Sequence, residues 1–91
     1  MKLRWSTAAA NDLEEISSYL HINHPSFALD TIQRIYRSAK SLKQFPEKGR
    51  PGKLEGTREL VLSPLPYLIV YSASTDFVQV LRIIHGAQER P

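Results

Sequence analysis

The chain has 91 residues and a mass of 10.4 kDa, with 42% hydrophobic and 23% charged residues and no cysteine. Area scaling gives about 5,400 Å² folded against about 15,000 Å² unfolded, which fits one modest core and a single domain spanning residues 1–91. A disulfide framework, a thiolate zinc site, an iron–sulfur cluster and a cysteine nucleophile are excluded, while twelve Lys+Arg against nine Asp+Glu leave a net charge of +3, favouring acidic partners without choosing among them.

Met1-Lys2-Leu3-Arg4-Trp5 runs into polar residues with no apolar stretch of about 7–15 residues, so no secretory leader is expected. The longest apolar run, Tyr67-Leu68-Ile69-Val70-Tyr71, is far short of the roughly 20 residues of a transmembrane helix. A cytoplasmic protein fits these features. Lys2–Trp5 is a short strand candidate. Ser6 or Thr7 can cap a helix whose first turns carry Asp12, Glu14 and Glu15, a placement that the helix dipole accounts for. Ala9, Leu13, Ile16 and Leu20 recur at helical steps and mark its apolar face, and Pro25 stops it near His24. Pro25 and Ser26 open a second helix with Ala28, Ile32, Ile35, Ala39 and Leu42 on one face. The two form a helical hairpin.

The opposite face of the second helix carries Arg34, Arg37, Lys40 and Lys43 at steps of three, a slowly drifting basic stripe that Pro46 ends. Residues 43–58 then hold five cations, Lys43, Lys48, Arg50, Lys53 and Arg58, against Glu47 and Glu55. That excess of three equals the net charge of the whole chain. Pro46, Gly49, Pro51, Gly52 and Gly56 mark the stretch as a loop, and one so long and basic is expected to do more than connect. Three strands follow at 58–62, 67–72 and 77–85, separated by short turns that imply antiparallel neighbours. The middle and last strands are apolar on both faces. Two helices cover only one face of such a sheet, so the other requires the sheet's own curl or a protein partner.

His21 and His24 share a helix end without a third ligand and read as dipole-favoured histidines; no metal or cofactor is called for. Gly49-Arg50-Pro51-Gly52-Lys53 lacks the spacing and the hydroxyl residue of a phosphate loop. The constellation with chemical potential is basic: Arg50, Lys53, Arg58, Arg82, His85, Gln88 and Arg90. An antiparallel sheet can bring Arg58, Arg82 and His85 onto one surface, where His85 would serve as acid or base and the arginines would clamp a scissile phosphate in metal-independent RNA cleavage. A structural His85 before Gly86 is the competing reading.

Trp5 with Ala9 to Leu13 and Ile16, then Phe45-Pro46-Glu47-Lys48-Gly49-Arg50, Gly56-Thr57-Arg58-Glu59-Leu60, Pro66-Tyr67-Leu68-Ile69-Val70-Tyr71, and His85-Gly86-Ala87-Gln88 near Pro91 together resemble the ParE/RelE superfamily of type II toxin-antitoxin toxins, its ParE branch in particular. The resemblance covers essentially the whole chain. It implies an α+β fold, an N-terminal helical hairpin on a small twisted antiparallel sheet in the order β-α-α-β-β-β. It also implies a cognate antitoxin that wraps the toxin with a helix and an extended segment, giving a hetero-oligomer. RelE-type members resemble ribosome-dependent mRNA endoribonucleases, whereas ParE-type members inhibit DNA gyrase and block replication. After Tyr67, where ribonucleolytic members tend to carry Arg, this chain has Leu68, and no Tyr follows Tyr71. Those departures favour the gyrase inhibitor, which acts by binding and has no catalytic residues, with Arg50, Lys53, Arg58, Arg82, His85, Gln88 and Arg90 as target contacts. His85 keeps the endoribonuclease alternative open, with ribosome and mRNA as partners. A toxin that has lost activity and helps its antitoxin repress their operon is a third reading.

Overall fold

The computed structural model describes residues 1–86. In chain order the elements are β1 (Lys2–Trp5), α1 (Thr7–Asn23), α2 (Ala28–Ser41), β2 (Arg50–Pro51), β3 (Arg58–Val61), β4 (Tyr67–Ala73) and β5 (Phe77–His85). Ser6 is the cap of α1: its extended backbone lets the side-chain oxygen accept from the Ala9 amide at 3.0 Å. α2 begins later than the Pro25–Ser26 signal suggests, because residues 25–27 form a turn and Phe27 caps the helix without a side-chain hydrogen bond.

The strands form one five-stranded sheet in the order β1-β5-β4-β3-β2. β3–β4 and β4–β5 are antiparallel, as their short connections require. One pair departs from the all-antiparallel expectation: β1 lies parallel to β5, with Lys2 opposite Phe77 and Trp5 opposite Val80. No turn specifies that pairing, since the helical hairpin separates β1 from the rest of the sheet. β2 is a two-residue strand inside the expected basic loop, with Arg50 opposite Glu59. The β4–β5 register shifts at Val70/Tyr71, where Arg82 faces Val70 but Val80 faces Tyr71, leaving Leu81 as the extra residue of a bulge.

Ala9, Ile35, Ala39 and Leu42 of the helices pack on Leu60, Leu62, Tyr67, Ile69, Tyr71, Val78, Val80 and Ile83 of one sheet face and its adjoining turn. The other face is less open than its sequence suggests: Leu68 is only 1% exposed, and Val70 and Ile84 are half-buried, leaving Val61 at 47%. Exposed apolar surface gathers instead at the tip of the helical hairpin, on Tyr19, Ile22, Phe27 and Leu29, with Ile22 at 79%. Among the described residues no helix is long and apolar enough to cross a membrane.

Candidate functional site

The candidate residues fall into three groups, the second and third of which share Asp12 and Ile83. The first lies where the segment before β2 meets β4. Tyr71, fully buried, donates its hydroxyl proton to the Pro46 carbonyl at 2.7 Å and accepts the Gly49 amide at 2.8 Å. Arg58 Nη1 donates to the Gly49 carbonyl at 2.7 Å and to that of Glu47 at 3.5 Å. Arg50 donates through Nε (3.1 Å) and Nη2 (2.9 Å) to Glu59 Oε1, a carboxylate on a residue only 7% exposed. Gly49 has no space for a side chain, since a Cβ there would lie 2.7 Å from the Tyr71 hydroxyl and 2.8 Å from the Glu59 carbonyl oxygen. The stretch expected to be a basic loop is thus stapled to the sheet, with Lys53 exposed in the turn beyond it.

The second place is the bulge. Asp12 takes a two-pronged contact from Arg82, Nε to Oδ2 at 2.7 Å and Nη2 to Oδ1 at 3.0 Å, and Oδ2 also accepts the Ile83 amide at 3.0 Å. Hydrogen bonding to Asp12, and then its charge, hold the Arg82 guanidinium above its ordinary pKa. Ser6 Oγ donates to the Leu81 carbonyl at 2.9 Å, so α1 and its cap bind both sides of the irregularity. Asp12 is therefore not a helix-dipole residue, since no acid occupies the first turn of α1. It accepts the Ile83 amide on β5 beyond Val80, where the pairing with β1 stops.

The third place is a cleft of about 480 Å³ between the helical hairpin and the ends of β4 and β5, lined by Glu15, Tyr19, His24, Phe27, Tyr67 and His85 among others. His85 meets Tyr67 edge-on with ring centroids 5.6 Å apart, and His24 stacks on Phe27 at 5.1 Å. Burial, with a smaller contribution from Tyr19, pushes the Tyr67 phenol above its ordinary pKa, so it remains neutral and able to donate. His21 holds Nδ1 2.8 Å from the Ser17 carbonyl at the end of α1. No group of three or more metal-ligating side chains occurs among the described residues.

This arrangement corrects the expected convergence of Arg58, Arg82 and His85. Arg58 stands opposite Tyr71 and His85 opposite Tyr67, four residues or about 13 Å apart along β4. Arg82 is turned to Asp12. Gln88 and Arg90 lie outside the described residues. Sequence reasoning missed Tyr71 and Asp12, whose partners stand 25 and 70 residues away.

Residues 3–90 match the family described as the ParE toxin of the type II toxin-antitoxin system parDE. The chain belongs to the ParE toxin family. Among related proteins, the toxin-named protein Y4kP of Sinorhizobium fredii is 38% identical over 99% of this chain and 93% of its own. Toxin RelE2 of Caulobacter vibrioides is 36% identical over 92% and 93%. Among solved structures, one from a chromosomal ParDE toxin-antitoxin system of P. aeruginosa superposes with a TM-score of 0.85 at 32% identity, covering 93% of this chain and 95% of that one. One from the E. coli DinJ–YafQ complex gives 0.67 at 13% identity over 96% and 94%, a likeness of fold alone. Within the Phe45 to Arg50 segment, Gly49 is the residue the Tyr71 staple admits.

Proposed function

We propose that this toxin inhibits DNA gyrase by binding and is neutralised by a cognate antitoxin. The observation that carries the reading is the dispersal of the groups an RNase would need. Metal-independent cleavage requires an acid or base and cationic clamps around one phosphate. Here Arg82 is held by Asp12, Arg58 is bonded to backbone carbonyls, and His85 lines a cleft that Asp12 borders but whose lining includes neither arginine. Leu68, at the position after Tyr67, is buried and supplies no replacement cation. Arg50, Lys53 and Arg58 form the gyrase-facing side on this reading, joined by Gln88 and Arg90 from the carboxyl end.

The antitoxin's place is the cleft with the adjoining hairpin tip, where Tyr19, Ile22 and Phe27 leave apolar area for a partner to cover. That an antitoxin partners this toxin is supported by the similar structure from a ParDE toxin-antitoxin system.

Gyrase supercoiling of relaxed plasmid tests the reading, scored for lost supercoiling and for trapped cleaved DNA. Inhibition relieved by added antitoxin is the expected result. No effect at high excess of folded protein refutes it and directs attention to ribosome-dependent mRNA cleavage, with His85→Ala as the first variant to examine.

A further inference from the structure

We propose that the depression at the C-terminal end of α2 binds the phosphate backbone of double-stranded DNA. Its lining is Arg37, Lys40, Ser41, Lys43 and Gln44, in a shallow hollow of about 360 Å³ with three cations, the Gln44 amide, a Ser41 hydroxyl that already donates to the Ser38 carbonyl, and no carboxylate. This inference does not rest on the gyrase reading.

Three observations carry it. The stretch from Arg34 to Lys48 holds five cations against Glu47 alone, an excess greater than the +3 of the whole chain, so the rest of the molecule is slightly acidic. Glu47 lines a neighbouring hollow beside Lys48, not this one. The charges are also uncompensated: the ion pairs Arg50–Glu59 and Arg82–Asp12 lie elsewhere, and among the described residues none involves Arg37, Lys40 or Lys43.

The spacing is unfavourable for the isolated protein. Like charges three residues apart on a helix repel and destabilise it. The helix dipole helps Lys40, in the last turn of α2, and Lys43 just beyond it, but not Arg37 above that turn. An anion bound across the row removes this repulsion. Arg37 to Lys43 spans about 9 Å of helical rise, a length over which duplex DNA presents about five phosphates. Duplex is favoured over single strand because no aromatic side chain lines the hollow to stack on a base, and Tyr36 is already stacked on Trp5.

The test is fluorescence anisotropy of a labelled 20-bp random duplex titrated with the full chain between 50 and 200 mM NaCl. Three phosphate contacts predict a log–log salt slope of about −2.7. Lys40→Gln/Lys43→Gln should reduce that slope by about 1.8 and weaken binding most at the lowest salt. Lys2→Gln/Arg4→Gln, which removes the same charge from the edge strand β1, should leave the slope unchanged. Equal losses in both variants would overturn the proposal, as would tighter binding of a single strand of the same length. Amide shift mapping on the unmodified protein gives an answer independent of how the variants fold: perturbations should centre on Arg37, Lys40 and Lys43, and their confinement to another surface refutes the site.

Discussion

Removing one oxygen atom tests the staple that organises the β2 side of the molecule. In Tyr71→Phe the ring keeps its place in the core, but the Gly49 amide loses its acceptor and the Pro46 carbonyl its donor. Gly49 is buried, so its orphaned N–H carries a desolvation penalty of about 1–3 kcal/mol. Pro46 is half-buried and can turn toward water, which limits its share to about 0.5–1.5 kcal/mol. The expected loss is about 3 kcal/mol, a fall in Tm of about 12–24 °C for a chain of this size. Urea unfolding followed by circular dichroism measures it, with the slope required to stay constant so that the midpoint reports stability alone. Hydrogen exchange at Gly49 should accelerate in the variant. A midpoint change worth less than about 0.5 kcal/mol, with Gly49 still protected, would refute the assignment of the staple as a structural anchor.

Gly49→Ala should cost about 1–3 kcal/mol by overpacking, and Tyr71→Phe should not rescue it, because the added methyl would still lie 2.8 Å from Tyr71 Cε1 and from the Glu59 carbonyl; a double-mutant cycle in urea checks this. At the bulge, Asp12→Ala leaves the Ile83 amide unpaired and should lose about 1–3 kcal/mol, whereas Arg82→Gln breaks a pair whose arginine side chain is 52% exposed and should lose under about 1 kcal/mol; equal losses would contradict the role given to Asp12. Arg82→Gln should also retain gyrase inhibition. The raised pKa of Tyr67 means the folded state holds its phenolic proton more tightly than the unfolded chain, so the associated stability is fully present below about pH 10 and is lost as pH rises through the folded value. Tyr67→Phe should therefore flatten the alkaline limb of the stability curve, and an unchanged limb would count against a buried phenol.

The helices and the strands after Arg58 were legible because their signals are local. Apolar steps of three and four mark α1 and α2, and short turns define β3, β4 and β5. What stayed hidden depends on partners far apart in sequence. β1 finds β5 across the length of the chain, and β2 is only two residues long. Arg82 looks available for phosphate until Asp12 is placed beside it, and periodicity carries no sign of a one-residue register shift at Val70/Tyr71. The motif ending in Gly49-Arg50 is recognisable as a family mark, yet its physical reason needs Tyr71 in three dimensions.

β5 stands between β1 and β4 and is the last strand in chain order among the described residues. Until residues 77–85 emerge, β1 has no neighbour, and the carbonyl and amide that engage Ser6 and Asp12 do not yet exist. A nascent chain shorter than this cannot close its sheet around a stable nucleus, and its contacts of long sequence separation form late. Closure of the sheet is thus an all-or-none event: a chain stopped before Phe77 lacks the strand that joins β1 to β4, and the finished surface appears at one moment rather than by degrees.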